Sequence, residues 1–174
     1  MFIAHLPAGY LLTSRLVRKH PTRGSALLAV GLVCSVLPDI DLVHFYLIDH
    51  RRHVHHDYLT HTPFFWLAVA ALLALGSVLA GKRQWLVLVW AGLLNVLLHL
   101  VLDTVAADIR WLFPFSDMRM NLVHVPALHQ PWFLNFILHW TFLCELAIII
   151  VAIVMFVRKW HKGRSRVPQE AALG

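Results

Sequence analysis

Three stretches, residues 64–80, 85–102 and 133–157, are almost unbroken runs of apolar side chains. Each is near the roughly 20 residues that a helix needs to cross about 30 Å of hydrocarbon. Inside lipid every backbone N–H and C=O must be satisfied within the segment, so such runs are expected to be helices. A fourth run starts at Ser25 and meets Pro38, Asp39, Ile40 and Asp41 just after Leu37. It is expected to span as well, with its outer end broken at the proline. Residues 2–17 are apolar but short, and their basic residues follow the apolar part instead of preceding it, which is the reverse of a secretory signal. They are read as a retained helix packed into the bundle. The expected fold is therefore all-α, an integral membrane helical bundle of four transmembrane helices plus a short N-terminal helix. Residues 1–160 are expected to form one membrane-embedded domain and residues 161–174 a flexible basic cytoplasmic tail. Composition agrees: charged residues make up 14% of the chain, against about 25% in soluble domains, which excludes both a soluble globule and a disordered chain.

Charge placement sets the expected orientation. Of the fifteen Lys and Arg, eleven lie between Arg15 and Arg23, at Lys82 and Arg83, or from Arg158 onward. The other four, Arg51, Arg52, Arg110 and Arg119, fall in the two longer connections, 44–63 and 103–132, with most of the aspartates. The positive-inside rule then puts the C-terminus in the cytoplasm and both connections outside, in a multi-pass protein of the cell inner membrane. The net charge of +6 is accounted for as a topology signal, and no nucleic-acid partner is expected. The bilayer is the expected partner, while the oligomeric state is left open.

Thirteen histidines in such an apolar chain are harder to explain as packing, because ionisable groups within a membrane are costly and default to function. Counting about 1.5 Å per helical residue from the nearest basic marker puts His5, Asp39, His61, His99, Asp103 and His139 some 20 to 32 Å from the basic end. Residues far apart in sequence thus converge on one layer near the outer interface.

Their chemistry differs. His99 and Asp103 stand at i and i+4 and share a helix face, which suits either two-point metal capture or a hydrogen-bonded brace. Asp39 and Asp41 could share an ion only where the helix ends or kinks, as Pro38 allows; otherwise they are solvated carboxylates. The segment 49–63 carries His50, His53, His55, His56 and His61, more than a site of three or four mixed N and O ligands can use. His50, His53 and His55 are therefore expected to be solvated. Thr62 is an expected N-cap ahead of Pro63, putting His61 at the mouth of the next span. The Trp and Phe clusters at 64–66, 111–115 and 132–136 are expected to be interfacial belts. Cys34 and Cys144 lack CxxC spacing, so a disulfide framework and a thiolate zinc site are both unsupported. No GxSxG or GxxxxGK[ST] motif is present.

One ordered set remains: His5, PDID at 38–41, HDYLTHT at 56–62, HLVLD at 99–103, and Pro114 with Phe115. It resembles the membrane-bound metal-dependent hydrolases of the bacterial inner membrane, the YdjM type, over roughly residues 1–120. The family's HRGxTHS falls on 56–62, where this chain has Asp57 and Tyr58 in place of the arginine and glycine and Thr62 in place of the serine, so the arginine's role is not carried over. That family is distantly similar to zinc phospholipase C and the zinc-dependent single-strand nucleases. The resemblance implies a divalent metal, zinc or else manganese, and phosphoester hydrolysis by a metal-activated water on small-molecule or lipid-linked substrates. His5, Asp39, His61, His99 and Asp103 are the expected metal ligands, with His56 and Asp41 in catalytic roles, on the extracytoplasmic side. The rival reading is a metal-ion or proton transporter without hydrolytic activity, in which His139 and Glu145 continue the path inward. A metal-stabilised scaffold is the third.

Overall fold

The computed structural model describes residues 3–164. Among these residues seven α-helices carry the fold: α1 (His5–Lys19), α2 (Gly24–Cys34), α3 (Asp41–Leu47), α4 (Pro63–Leu79), α5 (Leu86–Thr104), α6 (Phe133–Ile137) and α7 (Thr141–Arg164). Among the described residues the only β pairing is an isolated antiparallel bridge between Ile109 and Met120.

Local chemistry explains the boundaries. Arg18 and Lys19 occupy the last turn of α1, where cations favour the partial negative charge of a helix C-terminus, and Pro21 then opens a single 3-10 turn. Pro38 sits in a second 3-10 turn, Leu37–Ile40, and the chain leaves it as α3 at 53° to α2. The break expected at this proline is therefore present, and it presents Asp39 from the turn and Asp41 from the first position of α3. Pro63 occupies the first position of α4, where its missing N–H costs nothing. Thr62 precedes it, but its hydroxyl donates back to the Leu59 carbonyl at 2.7 Å and does not cap α4.

The spans differ from expectation. Two helical stretches, Arg83–Thr104 and Thr141–Lys162, are long and apolar enough to cross a membrane, and α2 with α3 makes a third only if counted as one bent span. Helix α4, at 17 residues, is about 25 Å long and falls short of about 30 Å of hydrocarbon. The run at 133–157 is not one helix. It breaks between α6 and α7, where His139 Nδ1 lies 2.9 Å from the Thr141 hydroxyl and 3.4 Å from the Thr141 amide nitrogen, and such local bonding competes with helix continuation. Helix α7 continues through residues 161–164, and the remainder of the expected basic tail lies outside the described residues. Large apolar side chains such as Leu72, Leu79 and Ile150 point outward and are exposed, as lipid-facing surfaces require.

Helix α1 packs against α2, α5 and α7, and α4 packs on α5. Close approach depends on small residues. A Cβ added at Gly9 would stand 2.4 Å from Ser35 Cβ, and one at Gly31 would stand 2.0 Å from Thr13 Oγ1, so α1 lies on α2 with no room for larger side chains. Asn95 ties α5 to α1, donating to Thr13 Oγ1 at 3.1 Å and to the Ala91 carbonyl of its own helix at 2.8 Å. The start of α1, the end of α2, the start of α4 and the end of α5 thereby come together, and that end carries the polar layer.

Candidate metal centre

His99 and Asp103 project from the last turns of α5 on one face, with Nε2 3.0 Å from Oδ2. Asp39 comes from the 3-10 turn after α2, and His61 from the turn ahead of α4. Four ligand atoms, one each from Asp39, His61, His99 and Asp103, all lie within 4.8 Å of one another. His61 Nε2 is 3.6 Å from Asp39 Oδ1 and 3.8 Å from Asp103 Oδ2, and His99 Nε2 is 3.6 Å from Asp39 Oδ1. A tetrahedral ion with bonds of about 2.0–2.1 Å needs ligand atoms about 3.3–3.5 Å apart. Three of the four distances exceed that edge by a few tenths of an ångström or less, and the fourth falls just below it.

The tautomers make the stronger case. His61 Nδ1 lies 2.7 Å from Asp41 Oδ2 and His99 Nδ1 lies 2.9 Å from the Ser35 carbonyl. Both partners only accept, so each Nδ1 carries a proton, and in its neutral form each ring turns the Nε2 lone pair inward. Both Nε2 atoms are buried without a hydrogen-bond partner; even at 3.0 Å, His99 and Asp103 lack the alignment of a hydrogen bond. Buried lone pairs facing carboxylate oxygens repel unless a cation lies between them. The cluster can therefore hold a metal ion, and the second ring nitrogen of each histidine is fixed in the way metal-binding histidines require. Burial lowers the His61 pKa, but Asp39, Asp41 and Asp103 outweigh it and leave the pKa raised. A proton accordingly competes for the place that a metal would take, and metal binding releases it.

The other expected residues surround this set. His5 Nε2 is 3.1 Å from Asp103 Oδ1, on the far oxygen of that carboxylate, and its ring stacks on His99 at 3.9 Å. His56 Nε2 is 3.8 Å from Asp103 Oδ2. Its imidazole is pushed down to about 3 by burial and by its neighbour His55, so it is neutral at physiological pH. Asp41 stands behind His61, where it also takes the Thr60 hydroxyl at 2.5 Å and faces His55 Nδ1 at 3.2 Å. His55, expected to be solvated, is half-buried and belongs to a second group of close nitrogens with His56 and His61. His53 pairs with Asp49 in the exposed loop. His139 is engaged with Thr141, and Glu145 accepts the Ile3 and Ala4 amides at 2.6 and 3.1 Å.

Sequence reasoning missed three elements. The Ser35 carbonyl is a backbone group and leaves no trace in residue type. Trp132 and Phe136, expected in an interfacial belt, line a cavity of about 610 Å³ whose polar surface includes Asp39, His55, His56 and Asp103. Asp57 takes a two-point contact from Arg119, at 2.5 and 3.0 Å, and its carbonyl accepts from Arg110. The position after His56 thus carries an anion that pins the 103–132 connection to the segment bearing His55 and His56.

Fold and cluster define a helical membrane protein with a buried His and Asp centre able to hold a metal ion. The chain belongs to the YdjM inner membrane protein family, which it matches over residues 1–163. No curated protein and no solved structure matches it.

Proposed function

We propose that the protein is a membrane-bound metal-dependent hydrolase acting on phosphoester bonds. The observation that carries this reading is the pair of buried Nε2 lone pairs, on His61 and His99, converging with Asp39 and Asp103 at the floor of a cavity. A divalent metal there would supply Lewis acidity, activating water and offsetting charge on phosphoryl oxygens. His61, His99, Asp103 and Asp39 would hold it, and His5 would support Asp103 from the far oxygen. Asp41 fixes the His61 tautomer, and the Ser35 carbonyl fixes that of His99. His56 lines the cavity as a neutral imidazole, placed to hydrogen-bond and orient water or substrate there. Asp39 is the most exposed of the four, with 30% of its side chain accessible, and it lines the cavity, so it is the member that shares its place with water and substrate.

Transport is disfavoured by what lies beyond the cluster. Asn95 is committed to Thr13 and Ala91, and Glu145 to the amides ahead of α1, so neither continues a polar path. The test is release of inorganic phosphate or alcohol from phosphomonoesters and phosphodiesters by zinc- or manganese-loaded protein. Turnover that falls by about 100-fold or more in His56→Ala while metal stays bound supports the reading. Loaded protein that turns over neither class of ester contradicts it.

A further inference from the structure

The cavity beside the cluster has more to say about its ligand than the metal ligands do. Asp39 and Asp103 together carry two negative charges, so a divalent ion between them leaves the centre near neutral, and the charge of a phosphate beside it calls for a further cation. Among the described residues lining the cavity, Arg51 is the one Arg or Lys. Its backbone is held in an unusual way. His50 and Arg51 have φ of 50° and 64°, a left-handed conformation that non-glycine residues adopt at a cost and keep only where the surroundings impose it. The surroundings are visible: the Arg51 amide donates to the Phe45 carbonyl at 3.0 Å, and His53 closes the loop onto Asp49 through its amide at 2.9 Å. The guanidinium lies over the Tyr46 ring, 5.8 Å from its centre.

The remaining walls are apolar. Leu42 and Phe45 of α3 line the same cavity as Trp132 and Phe136, at and within α6. A phosphate alone does not need such walls. Helix α3 is also apolar on its outer surface, where Val43 and Leu47 are 60% and 71% exposed, and Ile48 just after it is 67% exposed. One short helix thus separates the cavity from a surface suited to lipid.

Resting on the hydrolase reading above, we propose that the substrate is a lipid phosphate ester drawn from the bilayer, its phosphate held by Arg51 and its hydrocarbon chain lying between α3 and α6. In this arrangement Arg51 and Phe136 determine specificity and neither holds the metal.

Binding of non-hydrolysable phosphonates separates this proposal from turnover. Zinc-loaded protein in phosphatidylcholine nanodiscs would be titrated calorimetrically with dodecylphosphonate, butylphosphonate and inorganic phosphate, with empty nanodiscs subtracted. Dodecylphosphonate should bind about ten-fold or more tighter than either of the others. Arg51→Ala should weaken it about ten-fold or more at unchanged metal content, with partial recovery in Arg51→Lys. Phe136→Ala should reduce the preference for the long chain and leave butylphosphonate unaffected. Equal affinity for the three ligands would overturn the lipid assignment, and undiminished binding by Arg51→Ala would overturn the role of Arg51. Tight, Arg51-dependent binding of dodecylphosphonate by a protein that hydrolyses no ester would sustain the lipid site while removing the hydrolase reading.

Discussion

Asp41 touches the cluster only through His61, yet the geometry makes it decisive for how that ring is presented. Asp41→Asn exchanges an obligatory acceptor for an amide that can also donate, so the Nδ1 proton and the inward Nε2 lone pair are no longer fixed. Metal affinity is expected to fall by about 10 to 100-fold with the fold retained, which competition with a chelating dye would measure. An unchanged affinity would mean that His61 is oriented by packing alone. Roles of this kind are hard to read from residue order. The i, i+4 spacing of His99 and Asp103 is enough to put both on one face, because helix geometry is local. The division of labour between Asp39 and Asp41 depends on which way the turn at Pro38 rotates and on where the separate turn at 59–61 delivers His61. Half-burial of His55 beside Asp41 is tertiary for the same reason.

At the scale of elements, α7 positions α1. The carboxylate of Glu145, buried in α7, accepts the amides of Ile3 and Ala4, the second of which is a donor that the start of α1 leaves without an intrahelical partner. Glu145→Ala strands them, and a loss of about 1–3 kcal/mol is expected; Glu145→Gln keeps an acceptor and should lose less. Thermal unfolding in detergent would measure both, and equal melting temperatures for wild type and Glu145→Ala would show that α1 is seated by packing alone. The sequence predicted Glu145 as a polar residue deep in a span, but backbone donors near residue 4 carry no sequence signal pointing to position 145. The break between α6 and α7 was likewise hidden, since no proline or glycine marks it and the side chains at 139 and 141 make the turn. By contrast, the proline at 38 and the one at 63 announced their boundaries, because each removes a backbone donor.

For the whole molecule, every contributor to the cluster lies at one end of the bundle, and the basic residues at 15–23, 82–83 and 158–162 belong to the other ends of the same helices. By the positive-inside rule the basic end is expected to face the cytoplasm. In a background with Cys34 and Cys144 replaced by serine, a cysteine at position 50 or 120 should react with an impermeant thiol reagent added outside intact spheroplasts. Labelling only after lysis would invert the topology. Helical class and membrane embedding were legible from apolar run lengths, which follow directly from bilayer thickness. The number of spans was less so, since run length alone does not show that α2 and α3 meet at 53° or that α4 is short.

The central claim is that the layer of histidines and aspartates binds a metal. Metal content of the purified protein by inductively coupled plasma mass spectrometry, wild type beside Asp103→Ala, tests it most directly. About one or more equivalents of zinc or manganese in the wild type, largely lost from a folded Asp103→Ala, is the predicted result. No metal in the wild type after metal-replete growth and chelator-free purification, or equal occupancy in the two proteins, would contradict it.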